Sequence, residues 1–165
     1  MTIRDALPDD LSEIVRIMNH YRAHTTYIWD RRPVRRTAMA GWLRDHTALP
    51  YCAIVAEEDG VILGYASLSR FRPHSGYAQT AEDSIYLAPG HEHGGVGTAL
   101  MQALLARAKQ NGLRVVTAWI DSRNTGSVCF HEKLGFTHVG VMQNVGVIDG
   151  TPASVVIMQI EFRDF

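Results

Sequence analysis

Apolar residues recur along the chain with two spacings, and these predict an alternation of strands and helices. TIRDAL alternates apolar and polar residues, and PDDLSEIVRIMNHY follows with an Asp cap and apolar residues at helical spacing. Residues 32–46 predict a second helix that opens on Pro33, and the stretch between the two helices predicts a loop. The chain therefore starts as strand, helix, helix.

The middle of the chain predicts a hairpin, a strand, a long helix and a buried strand. Residues 51–71 contain two β-rich runs around an Asp-Gly turn, and AEDSIYL is a further short strand. A glycine-rich stretch then leads into apolar residues at helical spacing, and Asn111-Gly112 ends that helix. Residues 113–121, LRVVTAWID, are almost continuously apolar, which is typical of a strand covered on both faces.

The C-terminal third predicts a short capped helix followed by two strands. The helix is SRNTGSVCFHEKLGF, ending at Gly135, and the strands are THVGVMQNVGVI and ASVVIMQIEF. The order β-α-α-β-β-β-α-β-α-β-β favours a mixed sheet with helices on its faces, an α/β or α+β fold. Length and the absence of repeats or linkers predict a single domain over residues 1–165.

Charge and cysteine usage narrow the possible partners. The net charge of -1 and pI near 6.7 predict no nucleic-acid or membrane partner, which favours a small molecule or a protein. Cys52 and Cys129 are isolated, which argues against disulfides and a zinc site and favours a reducing compartment. The charged N-terminus and the lack of a long apolar run lead us to expect a cytoplasmic protein.

The stretch PGHEHGGVGTALMQALLARAK, residues 89–109, has several possible interpretations. A Walker loop would need Lys-Ser/Thr after Gly97, and a dinucleotide fingerprint would need glycine at Leu100. His91 and His93 have no third ligand at a recognised spacing, so we predict no metal. An anion cradle and a plain start of a helix both remain open, because glycines and free helix N–H groups suit either.

Several segments together resemble the GNAT acetyltransferase superfamily, and more closely its phosphinothricin and methionine sulfone/sulfoximine N-acetyltransferase branch. In the family's order they are IRDALPDDLSEIVRIMNHYRAHTT, YIWD, LGYASLSRFRPH, EDSIYL, GGVGTALMQALLARAKQNGL, IDSRNTGSVCFHEKLGF and VMQ. The resemblance implies a GNAT fold, with helices on both faces of a sheet that splays between two middle strands. It also implies acetyl-CoA as acyl donor, inserted between those strands.

The resemblance also assigns residues to the cofactor. Those expected to bind acetyl-CoA are Ile85, Tyr86 and Leu87 for the pantetheine, His93, Gly94, Gly95, Val96, Gly97 and Thr98 for the pyrophosphate, and Asn124 with Ser127 at the next helix. Glu92 departs from the family, which has Gln or Arg there. A solvated carboxylate should repel the pyrophosphate by about 1 kcal/mol, which a protonated His91 or His93 would offset.

For catalysis, Glu82 matches the family's glutamate and would take a proton from the attacking amine. Asp83 should face the opposite side, because strand residues alternate. Backbone N–H groups of residues 85–87 would face the oxyanion, and His131 would serve the leaving thiolate. The alternatives are a solvated glutamate and a histidine on the helix surface. We interpret Cys129 as core packing, so direct transfer is favoured over an acyl-cysteine.

The acceptor site is expected from two further segments. Arg72, with Pro73 and His74, resembles the segment that holds an anionic group, and Trp29 would wall the pocket, its alternative being a core Trp. Pro152 and Ser154 stand where relatives have Trp and Asp, in a segment expected to help close the acceptor pocket and the dimer contact.

The resemblance implies a homodimeric N-acetyltransferase acting on the α-amine of a small amino acid, or of an analogue such as phosphinothricin, methionine sulfoximine or methionine sulfone. The alternatives are a GNAT enzyme for another amine and a catalytically silent acetyl-CoA-binding module. The other amines considered are a polyamine, an aminoglycoside and a protein N-terminus.

Overall fold

The computed structural model describes residues 1–162, and in that range seven strands and four α-helices form a mixed α/β fold. They follow one another as β1 (Thr2–Asp5), α1 (Leu11–His24), α2 (Arg36–Asp45), β2 (Cys52–Glu58), β3 (Val61–Arg70), β4 (Thr80–Leu87), α3 (Val96–Gln110), β5 (Val115–Asp121), α4 (Thr125–Lys133), β6 (Thr137–Ile148) and β7 (Thr151–Glu161). The predicted order is confirmed. None of these helices is long and apolar enough to cross a membrane. Residues 163–165 of the predicted domain lie outside the described residues.

The predicted start of α2 is wrong by three residues. The helix begins at Arg36 rather than at Pro33, and Arg35 before it is still extended. The cause is the side chain of Asn19 in α1, whose Nδ2 donates to Val34 O at 2.9 Å and whose Oδ1 accepts from Val34 N at 2.8 Å. This contact between distant segments holds the chain extended where the local pattern favours a helix.

The predicted Asp cap of α1 is also wrong. Asp10 precedes the helix, but its carboxylate makes no hydrogen bond to the first turn. Instead Asp10 accepts from Arg4 at 2.7 and 2.9 Å and from the backbone N–H of Leu7 at 2.7 Å. The Asp10 carboxylate, which the local pattern predicts to cap α1, is therefore bound by Arg4 of β1 instead.

All seven strands belong to one sheet, in the order β1-β2-β3-β4-β5-β7-β6. Neighbouring strands are antiparallel except for the central β4–β5 pair, which is parallel. The parallel ladder contains three registered pairs, Thr80–Val115, Ala81–Val116 and Glu82–Thr117. Because β4 continues to Leu87 and β5 to Asp121, the strands part at Glu82, and the expected splay is confirmed.

Side chains of β4 alternate between the two faces of the sheet. Ile85 and Leu87 pack in the core formed with α3 and α4, whereas Tyr86 packs in a second core formed with α1 and α2. We call these the α3–α4 face and the α1–α2 face. The alternation places Glu82 on the α1–α2 face and Asp83 on the α3–α4 face.

The strand β6 forms one edge of the sheet and is exposed along most of its length. Its exposed apolar residues are Val139, Val141, Met142, Val145 and Val147. An exposed edge strand with apolar side chains is a surface suited to pairing with another chain.

Candidate functional site

A cavity of about 170 Å³ opens where β4 and β5 part. Residues 82–86 of β4 form one wall, and residues 118–121 of β5 form the other. Asn124, Ser127 and His131 also line it, from α4 and the residue before that helix. The divergence of two strands that begin as neighbours thus leaves a cleft between them.

Four of the residues predicted to bind the pantetheine meet at this cleft. Ile85 and Tyr86 line it from β4, and Asn124 and Ser127 line it from α4. Asn124 Oδ1 accepts a hydrogen bond from Ser127 N at 3.1 Å, so the predicted cap of α4 is confirmed. This cap fixes the first turn of α4 beside the cleft.

The backbone of β4 beyond Glu82 is predicted to present unpaired groups to the pantetheine. The ladder with β5 ends at Glu82, so within the described residues no strand pairs with the β5 side of residues 83–87. One carbonyl is already engaged, because Tyr21 Oη donates to Leu87 O at 3.1 Å. Leu87, the last residue of β4, is therefore tied to α1, and the open backbone lies before it.

Glu82 is half-buried and lines the cleft. Burial raises its pKa above the ordinary value of 4.5, the negative charge of Asp83 raises it further, and the positive charge of Arg72 opposes both. A raised pKa makes a carboxylate a stronger base toward an ammonium group. The arrangement is chemically suited to the predicted role of Glu82 in proton removal.

Ser69 of β3 is registered directly opposite Glu82 and shares its face of the sheet. Its Oγ lies 2.8 Å from Nε2 of the buried His46, whose Nδ1 lies 2.7 Å from Trp42 O. Because a carbonyl only accepts, the proton of neutral His46 is on Nδ1, and Ser69 donates to Nε2. Burial lowers the pKa of His46, which favours this neutral form. Ser69 therefore has no hydroxyl proton left to donate to Glu82.

Asp83 and His131 form a buried pair on the α3–α4 face. Asp83 Oδ2 lies 3.0 Å from His131 Nε2, and the two side chains are only 2 % and 3 % exposed. Burial by itself lowers the pKa of His131, but the hydrogen bond and charge of Asp83 and the Ser127 carbonyl outweigh it, and the net pKa is raised. His131 is therefore not on the helix surface, and the predicted opposite orientations of Glu82 and Asp83 are confirmed.

The glycine loop ends at Gly95, whose φ of 80° lies in the left-handed region directly before α3. Side chains with a β-carbon rarely adopt this conformation, so glycine suits the position. The first N–H groups of α3 have no partner within the helix and are available to an anion. Of the residues predicted to hold the pyrophosphate, the exposed ones are His93, Gly94, Gly95 and Thr98, and the buried ones are Val96 and Gly97.

Glu92, the acidic departure in this loop, is exposed and bonded to the loop itself. Its Oε2 accepts from Gly90 N at 2.9 Å. The carboxylate is thereby held against the turn that precedes the donors of α3. This hydrogen bond supplies a local role for the residue that sequence comparison with the family leaves unexplained.

A second cavity, of about 380 Å³, adjoins the cleft on the α1–α2 face. Tyr27, Trp119 and Asp121 line both cavities, so the two are neighbours. Trp29 and the β6–β7 hairpin complete the second cavity with apolar side chains such as Met142. An apolar compartment next to Glu82 is suited to the side chain of an amine-bearing molecule.

Trp29 is the wall that the sequence predicts, and the structure holds it from two sides. Its Nε1 donates to Asp121 Oδ2 at 2.8 Å. Arg123 also binds Asp121, and this ion pair lowers the pKa of Asp121 to about 2. On the other side, a β-carbon on Gly146 of β6 would lie 2.5 Å from Trp29 Cζ3. Trp29 therefore joins the loop after α1 to both β5 and β6.

Within residues 1–162, Arg72 lines neither cavity, but it lies over Trp119, which lines both. Its Cζ is 5.2 Å from the ring centroid of Trp119 and 4.7 Å from that of Phe71, and the residue is exposed. The guanidinium is thus held over an aromatic surface next to Glu82, whose pKa it lowers. Pro73 and His74 are exposed and, in the described part of the chain, neither lines these two cavities.

The interpretation of Cys129 as core packing is wrong. The side chain is exposed on α4, because the helix turns His131 and Phe130 inward instead. Cys129 also does not line the cleft in residues 1–162. Cys52 is partly buried in β2, and burial raises the pKa of its thiol to about 11, so it is a poor nucleophile.

The C-terminal departures lie in the β6–β7 hairpin. Ser154 Oγ donates to Gln143 Oε1 at 3.1 Å and accepts from Asn144 N at 3.0 Å. Pro152 is exposed and registered opposite Val147. Ser154 therefore joins the two strands at the register shift that precedes Gly146.

Sequence reasoning missed several residues of the site. Trp119 and Asp121 alternate along β5 with the residues of the α3–α4 core, and this period-two signal was available in LRVVTAWID. The Ser69–His46 contact carried no such signal, because it joins β3 to the end of α2, 23 residues away.

Comparison with known proteins gives concordant matches. Residues 14–136 match the model of the family described as Acetyltransferase (GNAT) family. The chain is 37% identical over 164 residues to the L-methionine sulfoximine/L-methionine sulfone acetyltransferase of Salmonella typhimurium, covering 99% of this chain and 96% of that protein. It is 37% identical over 161 residues to the phosphinothricin N-acetyltransferase of Alcaligenes faecalis, covering 96% of this chain and 81% of that protein.

The fold also matches solved structures over its whole length. A Salmonella typhimurium acetyltransferase solved with its cofactor acetyl-CoA superposes with a TM-score of 0.95 at 36% identity, covering 100% of this chain and 95% of that chain. A likeness of this extent, together with the two relatives, is sufficient to assign the family.

Proposed function

Because the chain belongs to the GNAT family of acetyltransferases, we propose that it transfers acetyl from acetyl-CoA to the α-amine of a small amino acid or analogue. Residues 1–165 act as one N-acetyltransferase domain in this proposal. The observation that carries it is Glu82, a half-buried carboxylate with a raised pKa at the point where β4 and β5 part. The phosphinothricin, methionine sulfoximine and methionine sulfone types are the acceptors favoured by the relatives.

The cleft supports acetyl-CoA as acyl donor through groups of this chain. The open backbone of Ile85 and Tyr86 lies along one wall, Asn124 and Ser127 line the cleft at the start of α4, and the donors of α3 follow the glycine loop. A pyrophosphate at a helix N-terminus is a favourable arrangement. The pantetheine arm would then lie between β4 and α4, with the thioester directed to Glu82.

Glu82 performs the proton transfer in this proposal. The ammonium of the acceptor gives one proton through the Glu82 carboxylate to water, and the freed amine forms the N–C bond. Its second N–H proton passes to the Glu82 carboxylate as the C–S bond breaks. Backbone N–H groups of residues 85–87 donate to the developing oxyanion. As the C–S bond breaks, its electron pair leaves with the sulfur on the side of His131. Direct transfer is supported by Cys129, which is exposed and absent from the described lining of the cleft.

Arg72 and Trp29 support an amino acid as acceptor. The guanidinium of Arg72 is suited to a carboxylate, which it can bind with two parallel hydrogen bonds. Trp29 and the apolar lining of the second cavity are suited to the side chain. With the carboxylate at Arg72, the α-amine would face Glu82, because the two residues interact electrostatically.

Two broader properties belong to the same proposal. The exposed apolar edge formed by β6 supports a homodimer, since a second copy would cover it. The free thiols of Cys52 and Cys129 support a reducing, cytoplasmic compartment.

The proposal is tested by thiol release from acetyl-CoA with a panel of amines. The panel contains methionine sulfoximine, methionine sulfone, phosphinothricin, spermidine, an aminoglycoside and a peptide with a free N-terminus. Turnover confined to the first three is the expected result. Turnover with spermidine, the aminoglycoside or the peptide, and with none of the three amino-acid analogues, would overturn the acceptor class. Binding of acetyl-CoA without turnover of any amine would indicate a catalytically silent module.

A further inference from the structure

His131 makes a hydrogen bond at each of its ring nitrogens. Nδ1 lies 2.7 Å from the backbone oxygen of Ser127, one turn earlier in α4. Nε2 lies 3.0 Å from Asp83 Oδ2, across the cleft in β4. Phe136 approaches the ring edge to face, with centroids 4.9 Å apart. The imidazole is therefore fixed in position by two oxygens and an aromatic side chain.

Of the two oxygens near Nδ1, the backbone oxygen of Ser127 at 2.7 Å is closer than the Ser127 hydroxyl at 3.4 Å. A backbone carbonyl has no proton to give, so Nδ1 carries one. With Asp83 ionised, Nε2 carries the other proton, and His131 would be an imidazolium paired with the Asp83 carboxylate. The geometry, together with the raised pKa of His131, favours a positive charge on the ring inside the fold.

Among the described residues, three other acidic side chains lie near His131 in sequence or in the cleft lining, but Asp83 is the acidic residue that pairs with it. Glu82 lies on the other face of β4. Asp121 of β5, which lines the same cleft, is bound to an arginine. Glu132, next to His131 in α4, is bound to a histidine.

The Asp83–His131 pair lies at the cleft in which acetyl transfer is proposed. Asp83 is the first residue of β4 after the last rung of the parallel ladder, and it shares the cleft lining with His131. Their hydrogen bond joins β4 to α4 across the point where the strands part. One buried oxygen, Asp83 Oδ1, has no hydrogen-bond partner in the described residues. A carboxylate placed for stability alone would be expected to have both oxygens satisfied.

We propose that Asp83 is a positioning residue that holds His131 as a fixed imidazolium on the cleft wall, so that the leaving thiolate of CoA meets a positive charge already in place. The inference rests on the proposed function. Glu82 passes the first ammonium proton to water, and the freed amine forms the N–C bond. Glu82 then takes the second N–H proton as the C–S bond breaks with its electron pair on sulfur. His131 keeps both of its protons during this step, and the thiolate takes its proton from water as CoA leaves.

The first experiment measures the protonation of His131 in the free protein. The protein is labelled with ¹⁵N-histidine, the ring signals of His131 are assigned with the His131→Gln variant, and the pH is varied from 5 to 9. The expected signals are those of two protonated nitrogens at pH 7 in the wild type, and of a neutral ring at the same pH in Asp83→Asn. A wild-type ring that is neutral at pH 7 would overturn the proposal without any variant having to fold.

The second experiment measures kinetics with acetyl-CoA for Asp83→Asn and Asp83→Glu, with Asp59→Asn in the β2–β3 turn as the control. We expect Asp83→Asn to lower kcat about tenfold with little change in the KM for acetyl-CoA, and to move the alkaline limb of kcat to lower pH. Asp83→Glu should restore part of kcat. An unchanged alkaline limb in Asp83→Asn would overturn the proposal, because a purely structural role leaves that limb in place.

The two experiments separate this inference from the proposed function. A neutral His131 in an active enzyme overturns the assignment of Asp83 alone. A protein with a charged His131 that acetylates no amine overturns the proposed function, and the role of Asp83 with it.

Discussion

Glu82 and Asp83 are neighbours in sequence with the same kind of side chain, yet the sheet places them in opposite environments. Glu82 faces α1 and α2, is half-buried and lies opposite a serine that donates elsewhere. Asp83 faces α4, is almost fully buried and is paired with His131. The difference teaches that the environment of a carboxylate, more than its identity, decides its chemistry.

The two environments change the pKa values of different groups. Glu82 is partly removed from water and has no hydrogen-bond partner within residues 1–162, so burial raises its pKa and favours its role as a base. Asp83 is removed from water with a partner, and it raises the pKa of that partner, His131. One strand thus presents a proton acceptor on one face and, on the other, a carboxyl group that favours the charged form of His131.

The largest expected effect is on turnover when Glu82 is replaced. Glu82→Gln keeps the shape of the side chain but removes the base, and general-base catalysis contributes about 100- to 10,000-fold. We expect kcat/KM to fall by that factor in the thiol-release assay, while acetyl-CoA affinity measured by calorimetry stays constant. Glu161→Gln, at the exposed end of β7, is the control. Wild-type turnover in Glu82→Gln would assign the base to another group.

The next largest effect is expected on the free energy of unfolding when Asp83, on the opposite face of β4, is replaced. Asp83→Ala leaves His131 without its anion, and breaking a buried pair costs about 3–5 kcal/mol. His131→Ala should cost a similar amount, and the double variant should cost less than the sum of the two. Urea unfolding at pH 6 measures all three. Additive losses would show that the two side chains stabilise the fold independently.

The same pair sets a pH dependence with a definite sign. Since the pKa of His131 is raised in the folded state, the contribution of the pair is fully present below the ordinary value of 6.5. It is lost as the pH rises through the raised pKa. The cost of Asp83→Ala should therefore shrink with rising pH above 6.5. A cost that grows over this range would contradict the charged form of His131.

A smaller effect, on the acceptor KM and on the pH profile, is expected from Arg72→Gln, which tests whether Arg72 influences Glu82. Loss of a hydrogen bond to a charged group should raise the acceptor KM about tenfold or more. Arg72 also lowers the pKa of Glu82, so the acid limb of kcat/KM should move to higher pH in the variant. The measurement is a pH profile between 5 and 8, with Arg44→Gln on α2 as the control. An acid limb that does not move would exclude Arg72 from the surroundings of the base.

The smallest effect is expected from Gly146→Ala, which alters only the wall on the α1–α2 face. The added methyl group would lie 2.5 Å from Trp29 and must displace it. The acceptor KM should rise several-fold, roughly 1 kcal/mol, while the KM for acetyl-CoA stays unchanged. Gly140→Ala, in the same strand with open space around it, is the matched control. Equal effects of the two variants would remove Trp29 from the acceptor site.

Much of the fold could be predicted because its signals are local. The order of strands and helices follows from the spacing of apolar residues, and the cap of α4 follows from Asn124 and Ser127, three residues apart. The start of α2 could not be predicted, because Asn19 reaches it from α1. The opposite orientations of Glu82 and Asp83 also followed from local alternation.

The site itself was only partly predictable. Glu82, His131 and Trp29 were identified through resemblance, but their partners were not. Asp83 reaches His131 across 48 residues of sequence, and Asp121 reaches Trp29 across 92. Cys129 was misplaced because α4 is short and its apolar residues do not single out one buried face.

By itself, the sequence determined the order of the elements, the opposite orientations of the two β4 carboxylates, and the family. These depend on short-range periodicity and on motif order. Only the tertiary structure decided which carboxylate is paired. Pairing requires that β4 and β5 part after Glu82 and that α4 presents His131 at 3.0 Å from Asp83. Burial and hydrogen bonding act over a few ångströms of space, whereas sequence patterns report only on neighbours along the chain.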